Sequence, residues 1–312
     1  MANLAYLQIT RKCNQKCRFC SNPPSGWQDL TFDGVVKIID EYVKQRYDGL
    51  ILTGGEPTIY SRLPEVIDYC RRNNFPCRLI TNAQKTADKK YLRILIESGL
   101  KHIHVSIYSH RPEIQDYLTQ NSGSLDNIKR TLENLSVIKQ VNTDVNITLN
   151  KYNANHLNAL VEFIADKYPF VRHFVFNNLD PLSDRVKKNR DTVPKLVDFE
   201  LELARALHFL DENGKTFRVE RVPLCYLPGF EYCSTETRKI VKNENRPLYF
   251  LDKRGFRIQK NFYREKCSKC RVCLLNEICA GLYEMDKYFD SKELYPVFVP
   301  KDEIIKKILE GH

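Results

Sequence analysis

The sequence predicts an α/β fold: a partial, TIM-like (β/α)6 barrel built on a parallel sheet, followed by a small cysteine-rich C-terminal domain. Predicted strands and amphipathic helices alternate over about the first 190 residues, as is typical of parallel sheets. Chemically distinctive residues follow two of these strands, where parallel barrels place their functional loops. The alternation stops near residue 214, so we expect a barrel over residues 1–213, a small domain over 214–290 and a tail with a helix over 291–312.

Apolar periodicity gives the order of the elements. The predicted barrel strands are Ala5–Thr10, Gly49–Thr53, Cys77–Thr81, His102–Ile107, Asp144–Thr148 and His173–Phe176. The predicted helices are Phe32–Val43, Leu63–Arg72, Lys89–Ser98, Leu125–Ile138, His156–Tyr168 and Thr192–Asn213. After the barrel we expect a short strand at Phe217–Val222, a hairpin over Pro247–Lys260 and a terminal helix around Ile304–Leu309.

Three cysteines, Cys13, Cys17 and Cys20, follow the first predicted strand with the spacing C-x3-C-x2-C. Thiolates on one short loop can ligate three irons of a 4Fe–4S cluster and leave the fourth iron open to a small molecule. The alternatives are a disulfide with a free thiol, or part of a zinc site. Zinc sites usually pair two C-x2-C motifs, and disulfide frameworks belong to small secreted chains, so the spacing favours the iron–sulfur site.

The second predicted strand ends in Gly54-Gly55-Glu56-Pro57, and the aromatic Phe19 precedes the last cysteine of the triplet. Motifs of these types, in this order and at these strand ends, resemble the radical S-adenosylmethionine (SAM) superfamily. The resemblance implies that the three cysteines hold a catalytic 4Fe–4S cluster whose open iron is chelated by SAM. It also implies reductive cleavage of SAM to a 5′-deoxyadenosyl radical that abstracts a substrate hydrogen, with an electron from an external flavodoxin- or ferredoxin-like reductant.

The same resemblance implies a set of SAM contacts at the strand ends. These are Phe19 against the adenine, Gly54, Gly55 and Glu56 near the amino group, and Asn82, Ser106 and Asn150 after later strands. A tight turn with a solvated glutamate is the alternative for the glycine segment. Asparagine and serine at strand ends are also ordinary turn and cap residues.

A second group of cysteines follows the predicted hairpin. Cys270, Cys273 and Cys279, followed by Gly281, resemble the auxiliary-cluster domains called twitch and SPASM in this superfamily. A SPASM domain usually has a further cysteine where this chain has Tyr283, so the resemblance implies the twitch form with one auxiliary 4Fe–4S cluster.

Four thiolates are needed to close that cluster, and we expect the fourth from Cys225, with Cys267 as the rival. A structural zinc site of four cysteines is the alternative, because spacing alone does not separate zinc from iron–sulfur. Cys233 could be a ligand, a reactive thiol or neither. Cys70 and Cys77 are expected to be small buried hydrophobic residues.

The composition is that of a globular protein, with 42% hydrophobic and 28% charged residues among 312. No signal peptide and no apolar run long enough to cross a bilayer is present, and with eleven cysteines this predicts a cytoplasmic protein without membrane contact. The net charge of +10 is concentrated in residues 235–271, the basic segment, which has twelve basic and four acidic residues. Such a segment could bind an acidic peptide, a phosphate-bearing molecule or RNA, or be a solvated face.

These features predict a radical SAM enzyme that modifies its substrate oxidatively, because an auxiliary cluster can accept an electron from a substrate radical. Maturation of a ribosomally synthesised peptide is the leading hypothesis, although the first barrel strand begins directly, without a preceding peptide-recognition domain. The alternative is oxidation of a small molecule such as a sugar, an aminocyclitol or a natural-product intermediate. A nucleic-acid-binding protein with zinc or iron–sulfur ribbons is a third, disfavoured hypothesis.

Overall fold

The computed structural model describes residues 3–23 and 25–311. Within these residues, nine strands form one sheet, in the order β7-β6-β5-β4-β3-β2-β1-β8-β9. The strands are β1 (Leu4–Thr10), β2 (Gly49–Gly54), β3 (Cys77–Thr81), β4 (His102–Ser106), β5 (Asn142–Leu149), β6 (His173–Asn178), β7 (Thr216–Glu220), β8 (Arg246–Phe250) and β9 (Gly255–Gln259). All neighbouring pairs are parallel except β8 and β9, which form the expected hairpin.

Helices follow most strands, as the sequence pattern predicts. They are α1 (Phe32–Lys44), α2 (Leu63–Arg72), α3 (Lys89–Glu97), α4 (Pro112–Thr119), α5 (Ser124–Ser136), α6 (Leu157–Lys167), α7 (Asp184–Lys188), α8 (Leu196–Glu212), α9 (Thr235–Val241) and α10 (Lys301–Glu310). Side chains mark the start of several: Thr31 accepts a hydrogen bond from Gly34 N before α1, and Asp88 does so from Lys90 N before α3. Helices α4, α7 and α9 were absent from the predicted order.

Alternate residues along the strands face the helices and the barrel interior. On β6, Phe174 and Phe176 are fully buried in the core shared with the helices, whereas Val175 and Asn177 line the interior cavity. The barrel therefore has an apolar outer layer and an interior with polar side chains that can face a ligand.

All six predicted barrel strands are present, and the parallel sheet continues beyond them by one strand on each side. β7 continues the parallel sheet beyond β6, and β8 pairs in parallel with β1. These strands come after the strand–helix alternation ends, so the sequence pattern assigned them to the small domain. The predicted boundary at residue 214 lies between strands of one continuous sheet, and the division into domains stays a prediction.

Side chains join β7 to β8 across the barrel. Arg246 on β8 donates to Glu220 on β7 at 3.2 Å, and both side chains are mostly buried. The guanidinium of Arg246 also lies 5.6 Å from the ring centre of Tyr6 on β1. Strands β7 and β8 are not hydrogen-bonded neighbours in the sheet, and a buried ion pair joins them instead. No helix among residues 3–23 and 25–311 combines the length and the apolar character needed to cross a bilayer.

Candidate active site at the strand ends

The cysteine loop, residues 11–20, is held by the segment that follows β2. Gly55 N donates to Thr10 O and Glu56 N donates to Lys12 O, both at 2.8 Å. A Cβ on Gly54 would lie 2.2 Å from Thr10 O, and a Cβ on Gly55 would lie 2.0 Å from Lys12 O. Close contact with the backbone of the cysteine loop therefore requires glycine at both positions. This requirement is separate from the contact with the amino group of SAM that the family resemblance implies for them.

The other side of the cysteine loop lies on the end of α4. Lys16 N donates to Thr119 O at 3.0 Å, and Arg18 N donates to Leu118 O at 2.9 Å. The guanidinium of Arg18 stacks 4.0 Å from the ring centre of Tyr117. Helix α4, which the sequence pattern does not predict, thus supplies one wall of the site.

The three cysteines of the loop are half-buried. Burial raises the pKa of Cys13 to about 11 and also raises the pKa of Cys17 and of Cys20. The pKa of Cys17 rises further because the other two sulfurs are close. Arg185 opposes these shifts at all three cysteines, and Arg11 does so at Cys20. Converging thiols beside two cations are a donor set suited to a metal cluster, because the thiolate form is the ligand.

Glu56 is a buried carboxylate, 1% exposed, that links the ends of β2 and β3. One oxygen accepts from Thr58 N at 3.0 Å, Thr58 Oγ1 at 2.6 Å and Thr81 Oγ1 at 2.7 Å. The other accepts from Asn82 N at 2.7 Å. Burial raises the pKa of Glu56, and these four donors oppose that shift. The carboxylate is thus engaged by protein groups, which gives Glu56 a positioning role beside its expected contact with SAM.

The remaining expected SAM contacts differ in where they lie. Asn82 reaches the cysteine loop: its Nδ2 donates to Asn14 Oδ1 at 2.7 Å and lies 3.8 Å from Cys13 Sγ. Ser106 is half-buried at the end of β4. Asn150 is fully buried, and its side chain bonds within its own loop, donating to Thr148 O at 2.9 Å and accepting from Tyr152 N at 3.0 Å.

Phe19 packs in an apolar cluster behind the cysteine loop with Leu118, Leu179 and Val186. Its ring meets that of Tyr108 edge-on, with 4.7 Å between ring centres. Burial raises the pKa of Tyr108 well above its usual value, and the three nearby cysteines raise it further. Tyr108 therefore belongs to the site, although no sequence motif predicts this. Its position two residues after Ser106, at the end of β4, is the one feature of the sequence that could have indicated it.

The second group of cysteines converges on one cavity. Cys225, Cys270, Cys273 and Cys279 line it together with Tyr295. This is the expected ligand set for an auxiliary cluster. Cys267 lies outside that lining, with its Sγ 3.8 Å from Cys270 Sγ. Cys233 is buried elsewhere, and burial raises its pKa to about 12 while Arg218 opposes that shift.

The sulfurs of the second cysteine group are close enough to affect each other's pKa, and two of them accept hydrogen bonds from backbone N–H groups. Burial raises the pKa of Cys225 to about 12, and the nearby Cys279 and Cys270 contribute to the rise. Gly281 N donates to Cys279 Sγ at 3.3 Å, and Val297 N donates to Cys273 Sγ at 3.3 Å. Backbone N–H groups of this kind stabilise thiolates.

A second cavity, here called the mouth cavity, opens beside the cysteine loop. Ser21, Asn22 and Pro23, directly after Cys20, form one edge of it. Five arginines line it, namely Arg221, Arg246, Arg254, Arg257 and Arg264, together with Asp180, Asp184, Glu236 and Tyr283. Four of these arginines come from the basic segment, which therefore faces a cavity next to the cysteine site.

Sequence comparisons match the chain to known enzymes. The family model described as "Radical SAM superfamily" matches residues 7–164. The 7,8-dihydro-6-hydroxymethylpterin dimethyltransferase of Methanocaldococcus jannaschii is 28% identical, over 98% of this chain and 64% of its own length. The probable GTP 3′,8-cyclase of Methanococcus maripaludis is 24% identical, over 60% of this chain and 67% of its own length. The match to the Fe-coproporphyrin III synthase of Methanosarcina barkeri covers 51% of that protein's length. The chain therefore spans about half to two thirds of the length of these three relatives.

Solved structures share the fold at low sequence identity. SuiB of Streptococcus suis, bound to its precursor peptide SuiA, has a TM-score of 0.70 at 15% identity, covering 90% of this chain and 72% of SuiB. The enzyme anSMEcpe with bound AdoMet (SAM) has a TM-score of 0.66 at 16% identity, covering 98% of this chain and 96% of that one. The family match over half of the sequence, with the barrel and the cysteine loop at its strand ends, establishes that this chain belongs to the radical SAM superfamily of enzymes.

Proposed function

We propose that this enzyme forms a 5′-deoxyadenosyl radical from SAM and uses it to modify a ribosomally synthesised peptide oxidatively. Formation of the radical is supported by one observation, the convergence of Cys13, Cys17 and Cys20 at the strand ends. These cysteines would hold a 4Fe–4S cluster, which, when bound, supplies the electron that cleaves the carbon–sulfur bond of SAM.

The surrounding residues support that chemistry by fixing the loop and excluding water. The Gly54–Glu56 segment fixes the backbone that leads into Cys13. Arg11 and Arg185 offset the negative charge of the thiolates. Phe19 and Tyr108 close the apolar side of the loop, which protects a reactive radical from solvent.

We further propose an auxiliary 4Fe–4S cluster on Cys225, Cys270, Cys273 and Cys279, within a twitch-like unit over residues 214–290. Support comes from the shared cavity of these four thiols. Reconstituted protein should contain about eight iron and eight sulfide ions per chain. Cys279→Ser should lower the count to about four, whereas Cys267→Ser should leave it unchanged. The reverse pattern for these two variants would assign Cys267 as the ligand.

A peptide substrate is supported by two structural neighbours, SuiB and anSMEcpe, whose structures contain bound peptides. The open mouth cavity beside Cys20 could admit an extended chain. A small-molecule substrate is the second candidate, because the curated relatives named above act on a pterin and on GTP. An external flavodoxin- or ferredoxin-like protein would deliver the electron.

The test of the radical chemistry is 5′-deoxyadenosine formation by anaerobically reconstituted, reduced protein incubated with SAM. Cys17→Ala should abolish this product, because a loop with two thiols cannot hold the cluster. Cys70→Ala removes a buried thiol outside both cysteine groups and serves as the control. Absence of 5′-deoxyadenosine from the wild-type protein would refute the proposal. Turnover of small molecules without any peptide would refute the peptide substrate alone.

A further inference from the structure

We propose that the mouth cavity binds an anionic group of the substrate, a carboxylate or a phosphate, through Arg257, Arg264 and Tyr283. This inference rests on the proposed function, because it takes the cavity beside the cysteine loop as the place where substrate lies. The cavity begins at Ser21–Pro23, directly after Cys20. A group bound there is next to the site of radical formation.

The arginines of the cavity differ in how far protein carboxylates already neutralise them. Arg246 is paired with Glu220 at 3.2 Å, and Arg254 is paired with Asp252 at 2.6 Å. The backbone of Arg257 belongs to the β8–β9 hairpin, whereas its exposed guanidinium has no hydrogen-bond or ion-pair partner among the described residues. Arg257 therefore keeps its full set of donors for a ligand.

Arg264 also lacks a carboxylate partner among the described residues. Its Nη1 donates to the backbone oxygen of Tyr263 at 2.9 Å, and its guanidinium lies 5.3 Å from the ring centre of Tyr283. The remaining donors of this fork are free to bind a carboxylate or phosphate with two parallel hydrogen bonds.

Tyr283 adds a neutral donor at the same place. Its side chain is half-buried, and its hydroxyl forms no hydrogen bond with any described residue. Burial raises the pKa of Tyr283 to about 12, and Arg264 and Arg221 oppose the rise that burial and Asp180 cause. The phenol is therefore protonated at neutral pH and can donate to an anion. A SPASM domain usually has a cysteine where this chain has Tyr283. In this chain the tyrosine at that position would bind the substrate anion.

The backbone fixes Arg264 and Tyr283 side by side and close to the second cysteine group. Arg264 N donates to Ala280 O at 2.6 Å, and Leu282 N donates to Glu265 O at 2.9 Å. Cys267 and Cys279 stand a few residues from this short antiparallel pairing. An anion bound by Arg264 and Tyr283 would lie in the cavity whose edge directly follows Cys20, a few residues along the chain from the second cysteine group.

The acidic residues of the cavity do not cancel this charge. Asp184 is exposed and pairs with Lys187 at 3.1 Å. Glu236 accepts from Arg221 N at 3.2 Å, and burial together with the neighbouring Glu220 raises its pKa. Asp180 accepts from Leu182 N at 3.1 Å. Five arginines and three carboxylates line the cavity, so its lining has an excess of positive charge and an anion is the complementary ligand.

The test is direct binding of two probes to cluster-loaded protein, without turnover. One probe is a tetraglutamate peptide and the other is inorganic pyrophosphate. Arg264→Gln should weaken binding of the recognised probe about tenfold, as expected for loss of a charge-assisted pair. Arg257→Gln and Tyr283→Phe should each weaken it severalfold. Arg264→Lys, which keeps the charge and loses the planar fork, should give an intermediate affinity and guards against a variant that fails to fold.

Arg271→Gln is the matched control, because Arg271 is an exposed arginine of the basic segment outside the cavity. Unchanged affinity in Arg264→Gln and Arg257→Gln, equal losses in Arg271→Gln, or binding of neither probe would each overturn the inference.

Binding of the peptide alone indicates a carboxylate-bearing peptide substrate, and binding of pyrophosphate alone indicates a phosphate-bearing small molecule. Since 5′-deoxyadenosine formation by the wild type is measured without either probe, failure of the radical proposal and failure of anion binding are separate results.

Discussion

Gly55 joins two motifs of the sequence, the cysteine triplet after β1 and the glycine segment after β2, into one structural unit. Its N–H donates to Thr10 O, and the place of its missing Cβ is taken by Lys12 O. The position of Cys13, the next residue along the loop, thus depends on a contact made by a residue after β2. Buried backbone groups need partners, so this contact also satisfies polar atoms that would otherwise be costly.

Gly55→Ala should therefore disrupt the cysteine loop. The new Cβ would lie 2.0 Å from a backbone oxygen that cannot rotate away. We expect a loss of about 1–3 kcal/mol in the free energy of unfolding and loss of iron from the N-terminal site. Iron analysis and urea unfolding check this, with Gly26→Ala as the control because its Cβ would meet open space. Full iron content in Gly55→Ala would contradict the prediction.

Glu56→Gln should destabilise the protein through a single changed atom. Both carboxylate oxygens of Glu56 accept from protein donors, so an amide NH2 would face a donor whichever way it turned. The expected cost is about 1–3 kcal/mol in the free energy of unfolding. Glu65→Gln, at an exposed ion pair with Arg62, should change it by less than about 0.5 kcal/mol. Equal effects of the two substitutions would show that the hydrogen bonds of Glu56 are dispensable.

At the scale of elements, strands β4, β5 and β6 bring a histidine–aspartate cluster together on the inner face of the barrel. His104 lies opposite Asp144 in the sheet, and Asp144 lies opposite His173. His102 Nε2 and His104 Nδ1 lie 2.6 Å and 3.2 Å from the same oxygen of Asp144. Burial lowers the pKa of His104 to about 3 and that of His173 to about 4. Both imidazoles are thus neutral in the folded protein near pH 7.

This cluster predicts acid sensitivity. In the unfolded chain a histidine has a pKa near 6.5, so below that pH the unfolded state binds protons that the folded state does not. The free energy of unfolding should fall as the pH drops from 6.5 towards 4, by up to about 1.4 kcal/mol per pH unit for each of His104 and His173. Urea unfolding between pH 7.5 and 5 should give a shallower slope in His104→Gln and in His173→Gln than in the wild type. His208→Gln, exposed on α8, should keep the wild-type slope; identical slopes in all four proteins would exclude the cluster as the cause.

At the scale of the whole molecule, residues beyond 214 complete the barrel. β7 pairs with β6, and β8 pairs with β1. Leu251 N donates to Gln8 Oε1 at 3.2 Å, and Arg11 pairs with Asp252 at 3.4 Å. The turn after β8 therefore supports the residues that lead into the cysteine loop.

A chain ending at residue 213 should not fold as an independent barrel. It would expose the edges of β1 and β6, and unpaired strand edges promote aggregation. We expect soluble aggregates in size-exclusion chromatography and no cooperative thermal transition. A chain ending at residue 300 loses α10 but keeps all nine described strands, and should still melt cooperatively. A monomeric, cooperatively melting chain of residues 1–213 would instead support the predicted division into domains.

The predictable part of the fold is the part specified by local sequence. Apolar periodicity located six barrel strands and their main helices, because burial of one face needs a regular pattern. Helix α4 escaped because it has eight residues and Arg111 before it makes no side-chain cap. The pairing of β1 with β8 joins residues far apart in the chain, and no local pattern specifies such a partner.

The same distinction applies to the site. Cys13, Cys17, Cys20 and Gly54–Glu56 could be found because their chemistry needs a fixed spacing within one segment. Tyr108 and Arg185 reach the cysteines only through folding, since Tyr108 lies after β4 and Arg185 lies on α7. Cys225 lines one cavity with Cys270, Cys273 and Cys279 only because the chain folds, since it is 45 residues before Cys270, and their role as ligands stays a prediction.

The pairing of β1 with β8 also sets an order of events during synthesis. Strand β1 emerges from the ribosome well before its partner β8, because Leu248 follows its pairing partner Tyr6 by 242 residues. At about 5–20 residues per second, that delay lasts on the order of ten seconds or more. Until then the cysteine loop lacks Asp252 and the β8 edge beside it. We therefore expect iron–sulfur assembly machinery to meet this loop as part of an unfinished barrel, and insertion of a stable cluster to follow the synthesis of the hairpin.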